Sequence, residues 1–149
     1  MRLQDAVDEA TGRGADVLCG GAPLRLDHLP RGSFYAPTVL RSVPEGARLQ
    51  CEEVFGPVAL VATFSDLDEA ASMANATEYG LAAYVFTEGL RPAMALAERL
   101  EAGMVVINQA SASGVHAPQG GIKQSGIGLE GGAAGVDEFA YLKYVSIGL

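Results

Sequence analysis

Apolar positions along the chain recur at two spacings, and the switches between them mark the elements. Leu3, Ala6, Val7 and Ala10 recur every three or four residues, with Gly12 and Gly14 beyond them, which predicts a helix. Residues 15–19, ADVLC, form a short apolar run stopped by Gly20 and Gly21 and read as a strand, followed by a Gly/Pro/Asp/Arg-containing loop over 20–33. Residues 35–40 read as extended, with Pro37 marking an edge or bend. Residues 58–64, VALVATF, are the clearest strand. Ser65 stands where a helix cap is wanted, with Asp68 three residues on, and predicts a helix through Ala76 that buries Leu67, Ala70, Ala71 and Ala74. A strand over 81–86 follows. Pro92 suits the first turn of a helix that runs to Leu100 and buries Ala93, Leu96, Ala97 and Leu100, and Gly103 closes it. Residues 104–107 are a strand, 133–140 a helix, and 142–147 a last strand containing Leu142, Tyr144, Val145 and Ile147.

This succession of strand, helix and strand with short connections predicts an α/β fold: a mostly parallel, Rossmann-like sheet flanked by helices, in a single domain spanning 1–149. Such sheets bind ligands beyond the carboxyl ends of their strands, which draws attention to the Ser- and Gly-rich loop over 108–128.

Composition narrows the function classes. A length of 149 residues is enough for one real core, and the formal net charge of −8 with no basic cluster argues against a nucleic-acid partner. The first residues lead into a polar amphipathic stretch rather than a signal sequence, and no apolar run reaches membrane-spanning length, so no membrane partner is expected. Two cysteines without a spacing motif suit free thiols in a reducing, cytoplasmic compartment. Cys19, in an apolar strand, reads as inert core. Cys51 adjoins two carboxylates, which raise a thiol's pKa and make it a poor nucleophile. His28 and His116 are far apart and no metal-ligand spacing occurs. No catalytic residue and no metal site is assigned.

Two stretches carry candidate chemistry. GGIKQSGIG, residues 120–128, is glycine-rich, but its Lys-Gln-Ser order is wrong for a phosphate-binding loop. The superficial G-x-G-x-x-G that begins at Gly126 follows a loop rather than a strand, so the favoured reading is a tight loop packed on the domain. In QCEEVFGPV, residues 50–58, Glu52 and Glu53 fit a solvated turn, a carboxylate accepting ribose hydroxyls, or a base. Phe55 reads as core, with a ring against a cofactor as the alternative.

Taken together, CEEVFGPV, ANATEYGLAAYVFT, LEAGMVVIN and APQGGIKQSGIGLEGG occur in an order and spacing that closely resemble the C-terminal part of aldehyde dehydrogenases. The resemblance covers nearly the whole chain, and the ending DEFAYLKYVSIGL most resembles the succinate-semialdehyde branch. It implies the partial catalytic domain of an enzyme that oxidises a small aldehyde to a carboxylic acid with NAD or NADP. In that family the second acid of E-E-x-F-G-P binds the nicotinamide ribose hydroxyls and the aromatic two residues on packs beside the nicotinamide; these positions are Glu53 and Phe55. A serine in the loop after the V-N motif helps hold the substrate carboxylate, which the resemblance carries onto Ser113. The funnel-lining aromatic of P-F-G-G is Gln119 here, and the arginine of G-x-G-R-E is Leu129. The last strand, 142–147, corresponds to an assembly strand and implies a homo-oligomer.

The nucleophilic cysteine, the general-base glutamate and the cofactor loop of the family fall upstream of the matching region, and no Gly-Gln-x-Cys occurs here. The expectation is therefore a segment that is inactive alone and is completed by an upstream half of a split dehydrogenase. The alternative is a non-catalytic module that self-associates or binds a partner.

Overall fold

A computed structural model describes residues 3–112 and 114–148. The chain, read from its length as one domain, divides into two compact units, Met1–Phe64 and Ser65–Leu149.

The first unit opens with α1 (Leu3–Gly12), whose apolar stripe buries Ala6, Val7 and Ala10 as its spacing predicts. Then come β1 (Asp16–Cys19), β2 (Pro23–Leu24), β3 (Phe34–Tyr35), β4 (Thr38–Arg41), the short α2 (Arg48–Cys51) and β5 (Val58–Val61). A three-stranded sheet has the order β1-β4-β5, with β2 and β3 forming a separate ribbon. Pro37 falls between β3 and β4, where its missing N–H breaks no ladder. The central strand β4 alternates, with Thr38 and Leu40 buried. Leu40 joins Ala6, Val7, Ala10, Ala15 and Leu49 in the core, and Tyr35, Val43, Val54 and Val58 pack around them. Thr38 is satisfied in place: its hydroxyl donates to the Ala36 carbonyl and accepts from the Gly21 N–H, both at 2.8 Å.

The second unit contains α3 (Leu67–Asn75), β6 (Tyr79–Gly80), β7 (Ala82–Val85), α4 (Leu90–Arg99), β8 (Met104–Ile107), β9 (Ile122–Lys123) and α5 (Gly132–Asp137). Strands β7 and β8 run parallel around the α4 crossover, in register from Ala82 opposite Met104 to Val85 opposite Ile107. Its core is small: Ala71, Val85, Ala93 and Val106. The two helices are tied at their ends. Asn75 donates to the Arg99 carbonyl and accepts from the Glu101 N–H, and Arg99 pairs with Asp68.

Several expectations need correction. The sheets are mixed rather than mostly parallel. Only β4–β5 and β7–β8 pair in parallel, while β1–β4, β2–β3 and β6–β9 are antiparallel. Parallel pairing needs a long crossover, which α2 lies in for β4–β5 and α4 lies in for β7–β8. The cap of α3 is Asp66, not Ser65. Its carboxylate accepts from the N–H groups of Asp68 and Glu69, and Glu69 reaches back to the Ser65 N–H, so the capping box lies one residue further on. Cys19 is exposed rather than core, because β1 is an edge strand with all four residues open to solvent. Residues 142–147 form no strand: a ladder needs a second edge, and Tyr141, Leu142 and Tyr144 stand fully exposed. Among the described residues no helix is long and apolar enough to cross a membrane.

Exposure is high throughout. The accessible surface is 11044 Å². A folded monomer of 15.4 kDa exposes about 7,200 Å², and two independent units of half that mass about 8,700 Å² together.

Two carboxylates near α2 make the first unit acid-sensitive. Glu9 is held below its ordinary pKa by a hydrogen bond from Arg13 and by the Arg48 N–H at the start of α2, and Glu52 is held down by hydrogen bonds from Arg48. A depressed folded pKa contributes stability that is present above the unfolded carboxylate value of 4.5 and is lost as pH falls through the folded value. Denaturant midpoints are expected to hold from pH 7 to 5 and to drop below about 4.5, with a shallower drop in Glu9→Gln. Equal slopes in wild type and variant would exclude Glu9 as a source.

Candidate functional site

The turn from α2 into β5 places the paired acids. Glu52 ends α2: its N–H donates to the Arg48 carbonyl and its carboxylate is bound by Arg48 at 2.9 and 3.3 Å. Glu53, one residue on, is exposed and makes no hydrogen bond or ion pair among the described residues. The two acids are thus chemically distinct, one engaged in an ion pair and one without a partner among the described residues.

After Glu52, whose own backbone is extended, the next two apolar side chains go to opposite sides. Val54 turns inward against the core, and Phe55 turns outward, 91% exposed. The reading of Phe55 as core is corrected by this alternation. Two tight turns, Gly56 N–H to the Val54 carbonyl and Val58 N–H to the Gly56 carbonyl, stiffen the segment. A Cβ on Gly56 would lie 2.5 Å from Leu3 Cδ2 and would make the end of that side chain shift. Phe55 also rims a cleft of about 980 Å³ whose other walls include Leu24, Arg25, Leu29, Phe34 and Tyr35. Burial, reinforced by Asp8, pushes the Tyr35 phenol up, and its hydroxyl donates to Gln4. The turn offers a ligand an uncommitted acceptor and, two residues on, a flat apolar face.

In the second unit the carboxyl ends of β7 and β8 are joined by a residue that sequence reasoning missed. Asn108 takes a positive φ of 54°. Its side-chain oxygen accepts from the Thr87 N–H at 2.9 Å, and its amide donates to the Thr87 carbonyl at 2.8 Å. The side chain thereby extends the ladder by one rung while the backbone turns away. The signal was an asparagine directly after a strand, a residue type suited to the left-handed region.

Beyond it lies the loop with the substrate-side candidates. Ser113 lies outside the described residues. Gln119 is half-buried and closes the loop. Its backbone exchanges two hydrogen bonds with Glu130 at 2.7 and 2.8 Å, and its side-chain amide donates to the Gly114 carbonyl at 2.9 Å. Glu53 and Phe55 share one turn in the first unit, and Gln119 belongs to the second.

The glycine-rich stretch is explained by packing, in agreement with its reading as a tight loop. A Cβ on Gly103 would sit 1.9 Å from the Gly120 carbonyl oxygen, and one on Gly120 would sit 2.5 Å from that of Gly128. The Ser125 hydroxyl accepts from the Gly80 N–H, while Lys123 donates to the carbonyls of Asn75 and Thr77 and pairs with Glu101. A cation at the carboxyl end of α3 is favoured by the helix dipole. Among the described residues no group of three or more His, Cys, Asp or Glu is placed to hold a metal ion.

Comparison with known proteins gives this geometry a context. Residues 1–145 match the aldehyde dehydrogenase family, and the chain belongs to that family. It is 44% identical over 141 residues to the succinate-semialdehyde dehydrogenase of Paenarthrobacter nicotinovorans, covering 95% of this chain and 30% of that protein. The crystal structure of an NADP-dependent enzyme from Escherichia coli superposes with a TM-score of 0.87 and 39% identity, covering 99% of this chain and 30% of that one. Betaine aldehyde dehydrogenase from Staphylococcus aureus, solved in complex with NAD+, gives 0.86 and 39%, with 92% of this chain and 27% of that one covered. The chain thus spans about 30% of the length of the curated relatives it matches.

The Asn108 bridge predicts an ordered pair of effects. Asn108→Ala removes both hydrogen bonds and puts a Cβ-bearing residue without compensation at positive φ, and is expected to cost about 2 kcal/mol. Asn108→Gly keeps the dihedral permissible and is expected to cost about half of that. Urea midpoints check the order, and a glycine variant less stable than the alanine one would refute it.

Proposed function

We propose that this chain is the C-terminal segment of the catalytic fold of an NAD(P)-dependent aldehyde dehydrogenase, nearest to the succinate-semialdehyde branch. In this reading it supplies the nicotinamide-side clamp and one wall of the substrate site. The observation that carries it is the division of labour between the paired acids: Glu52 is occupied by Arg48, and Glu53 is left open beside the projecting ring of Phe55.

These residues fit the cofactor. A carboxylate with no partner among the described residues accepts hydrogen bonds from the two hydroxyls of a ribose, and an exposed ring limits where a planar nicotinamide settles. Bound NAD(P)+ accepts the hydride that leaves the aldehyde carbon. Positioning is the contribution of Glu53 and Phe55 to that transfer. Ser113 would hold a substrate carboxylate, and Gln119, through its bond to the Gly114 carbonyl, would fix the shape of the wall. The name of the Paenarthrobacter relative supports succinic semialdehyde as the aldehyde to try first. Neither Cys19 nor Cys51 lies in a Gly-Gln-x-Cys setting, so turnover depends on a nucleophile from the remainder of the fold, in cis or from a split partner. Residues 142–147, in no strand within the single chain, would become one on pairing with a second copy and so give a homo-oligomer, in a reducing cytoplasm that keeps both thiols free.

A second reading, a non-catalytic self-associating module, is favoured by the exposure of Tyr141, Leu142 and Tyr144. Tight self-association without any effect of Glu53 on cofactor use would select it.

The 149-residue chain alone is expected to produce no NAD(P)H from succinic semialdehyde, and Cys51→Ala is expected to behave identically. Turnover lost in the variant would mean that Cys51 has become a nucleophile. The clamp itself is tested in a chimera in which this chain replaces the matching part of the Paenarthrobacter enzyme. Glu53→Gln should lower kcat/KM for the cofactor about 10- to 100-fold, the scale of charge-assisted hydrogen bonds, with Glu52→Gln changing it less than about threefold. Equal effects would remove Glu53 from the site.

A further inference from the structure

The backbone of Gln119 and the nitrogen of its carboxamide are engaged, and the carboxamide oxygen is not. The Gln119 N–H donates to the Glu130 carbonyl at 2.7 Å, and the Gln119 carbonyl accepts from the Glu130 N–H at 2.8 Å. The side chain reaches back across the loop, where Nε2 donates to the Gly114 carbonyl at 2.9 Å. Two carbonyl oxygens cannot share a hydrogen bond, so this contact fixes which end of the carboxamide is the nitrogen. The backbone of Gly131 closes in the same end: a Cβ there would lie 3.6 Å from Nε2 and 3.4 Å from the Gly114 oxygen. Oε1 therefore faces away from Gly114 and has no hydrogen-bond partner among the described residues. It is an uncharged acceptor, held in one orientation on a half-buried side chain.

The surrounding stretch sets the chemistry of a matching group. From Asn108 to Ile122 the sequence contains no Asp, Glu, Lys or Arg, and the ring of its single histidine, His116, lies against Gly114. No carboxylate is present in that stretch to balance an ammonium group, and a carboxylate tail would meet Oε1 oxygen to oxygen. A fixed, uncharged acceptor pairs with a neutral donor, and on a small aldehyde that donor is a hydroxyl.

We infer that Gln119 is a specificity-determining residue, and that the aldehyde carries a hydroxyl which donates to Gln119 Oε1. The inference rests on the family reading given above, which puts residue 119 in the wall of the substrate site, and adds the class of substrate. The hydroxyl is additional to any carboxylate held at Ser113. An aldehyde with only an apolar chain strips water from the acceptor and leaves it unpaired, and this is the source of the discrimination.

The test uses the chimera in which this chain replaces the matching part of the Paenarthrobacter nicotinovorans enzyme. Two matched pairs of substrates are compared: 2-hydroxypropanal with propanal, and 3-hydroxybutanal with butanal. In at least one pair the hydroxylated member should have the higher kcat/KM by about tenfold, the scale of one partly exposed hydrogen bond. Gln119→Leu and Gln119→Met both remove the acceptor and should bring that ratio to within about twofold of one, whatever the absolute rate. A loop merely loosened by losing the Gly114 bond would slow both members alike and leave the ratio where it was. Ratios near one in both pairs, or a preference that survives in both variants, would overturn the inference. Glu53→Gln in the same chimera separates it from the reading beneath. Turnover that responds to Glu53 but not to the hydroxyl would remove only the hydroxyl, and a Gln119-dependent preference in a chimera indifferent to Glu53 would remove only the clamp. A chimera without turnover of any of the four aldehydes would overturn both.

Discussion

The carbonyl oxygen of Gly120 occupies the place where any side chain at residue 103 would begin. Much of the second unit is organised around that contact. It brings the glycine-rich loop onto the start of β8, and the loop is then held by polar groups that reach across it. The Ser125 hydroxyl caps the Gly80 N–H, and Lys123 gathers two carbonyls from the end of α3 together with the Glu101 carboxylate. With so few buried apolar side chains in this unit, backbone contact and hydrogen bonding carry an unusual share of its order. The segment that bears Gln119 inherits its position from this arrangement, pinned between Gly114 and Glu130.

The first unit uses a different economy. Its core is a conventional stripe of α1 on β4, and its polar groups are arranged around the beginning and end of α2. Glu9 meets the opening N–H of that helix, and Arg48 within it binds Glu52. By engaging one acid of the pair, Arg48 defines the other. Had both carboxylates been solvated, or both paired, the turn would offer no reason to single out Glu53.

Where the sequence was informative, it was because a local rule and the tertiary structure agreed. The periodic stripe of α1, the run Met104–Ile107 and the glycine punctuation around it mark elements whose internal order is local, whatever they later pack against. Failures occurred where the outcome depended on something distant. Pairing direction is a property of two strands, so β1 could be recognised without revealing that it returns antiparallel to β4. Residues 142–147 have the composition of a strand, but composition supplies no partner. The burial of Cys19 was misjudged for the same reason, since an edge position is not written in an apolar run. In the candidate site the acids were legible as a pair, whereas their separation into bound and free needed Arg48 in three dimensions. Asn108 was passed over because its function lies in a side chain imitating backbone.

The alternation of Val54 and Phe55 has a consequence for how this stretch can change over time. One side chain packs against the core and the next stands in solvent, and both are placed by the number of residues in the turns that lead from α2 into β5. Loss or gain of a single residue here would exchange the two, sending the ring inward and turning the valine to water, and would shift the free acid as well. Substitutions along the turn are therefore graded in their effect, but changes in its length are all-or-none. Residues 52–57 act as a ruler, and related sequences should vary in what the turn contains far more readily than in how many residues it has.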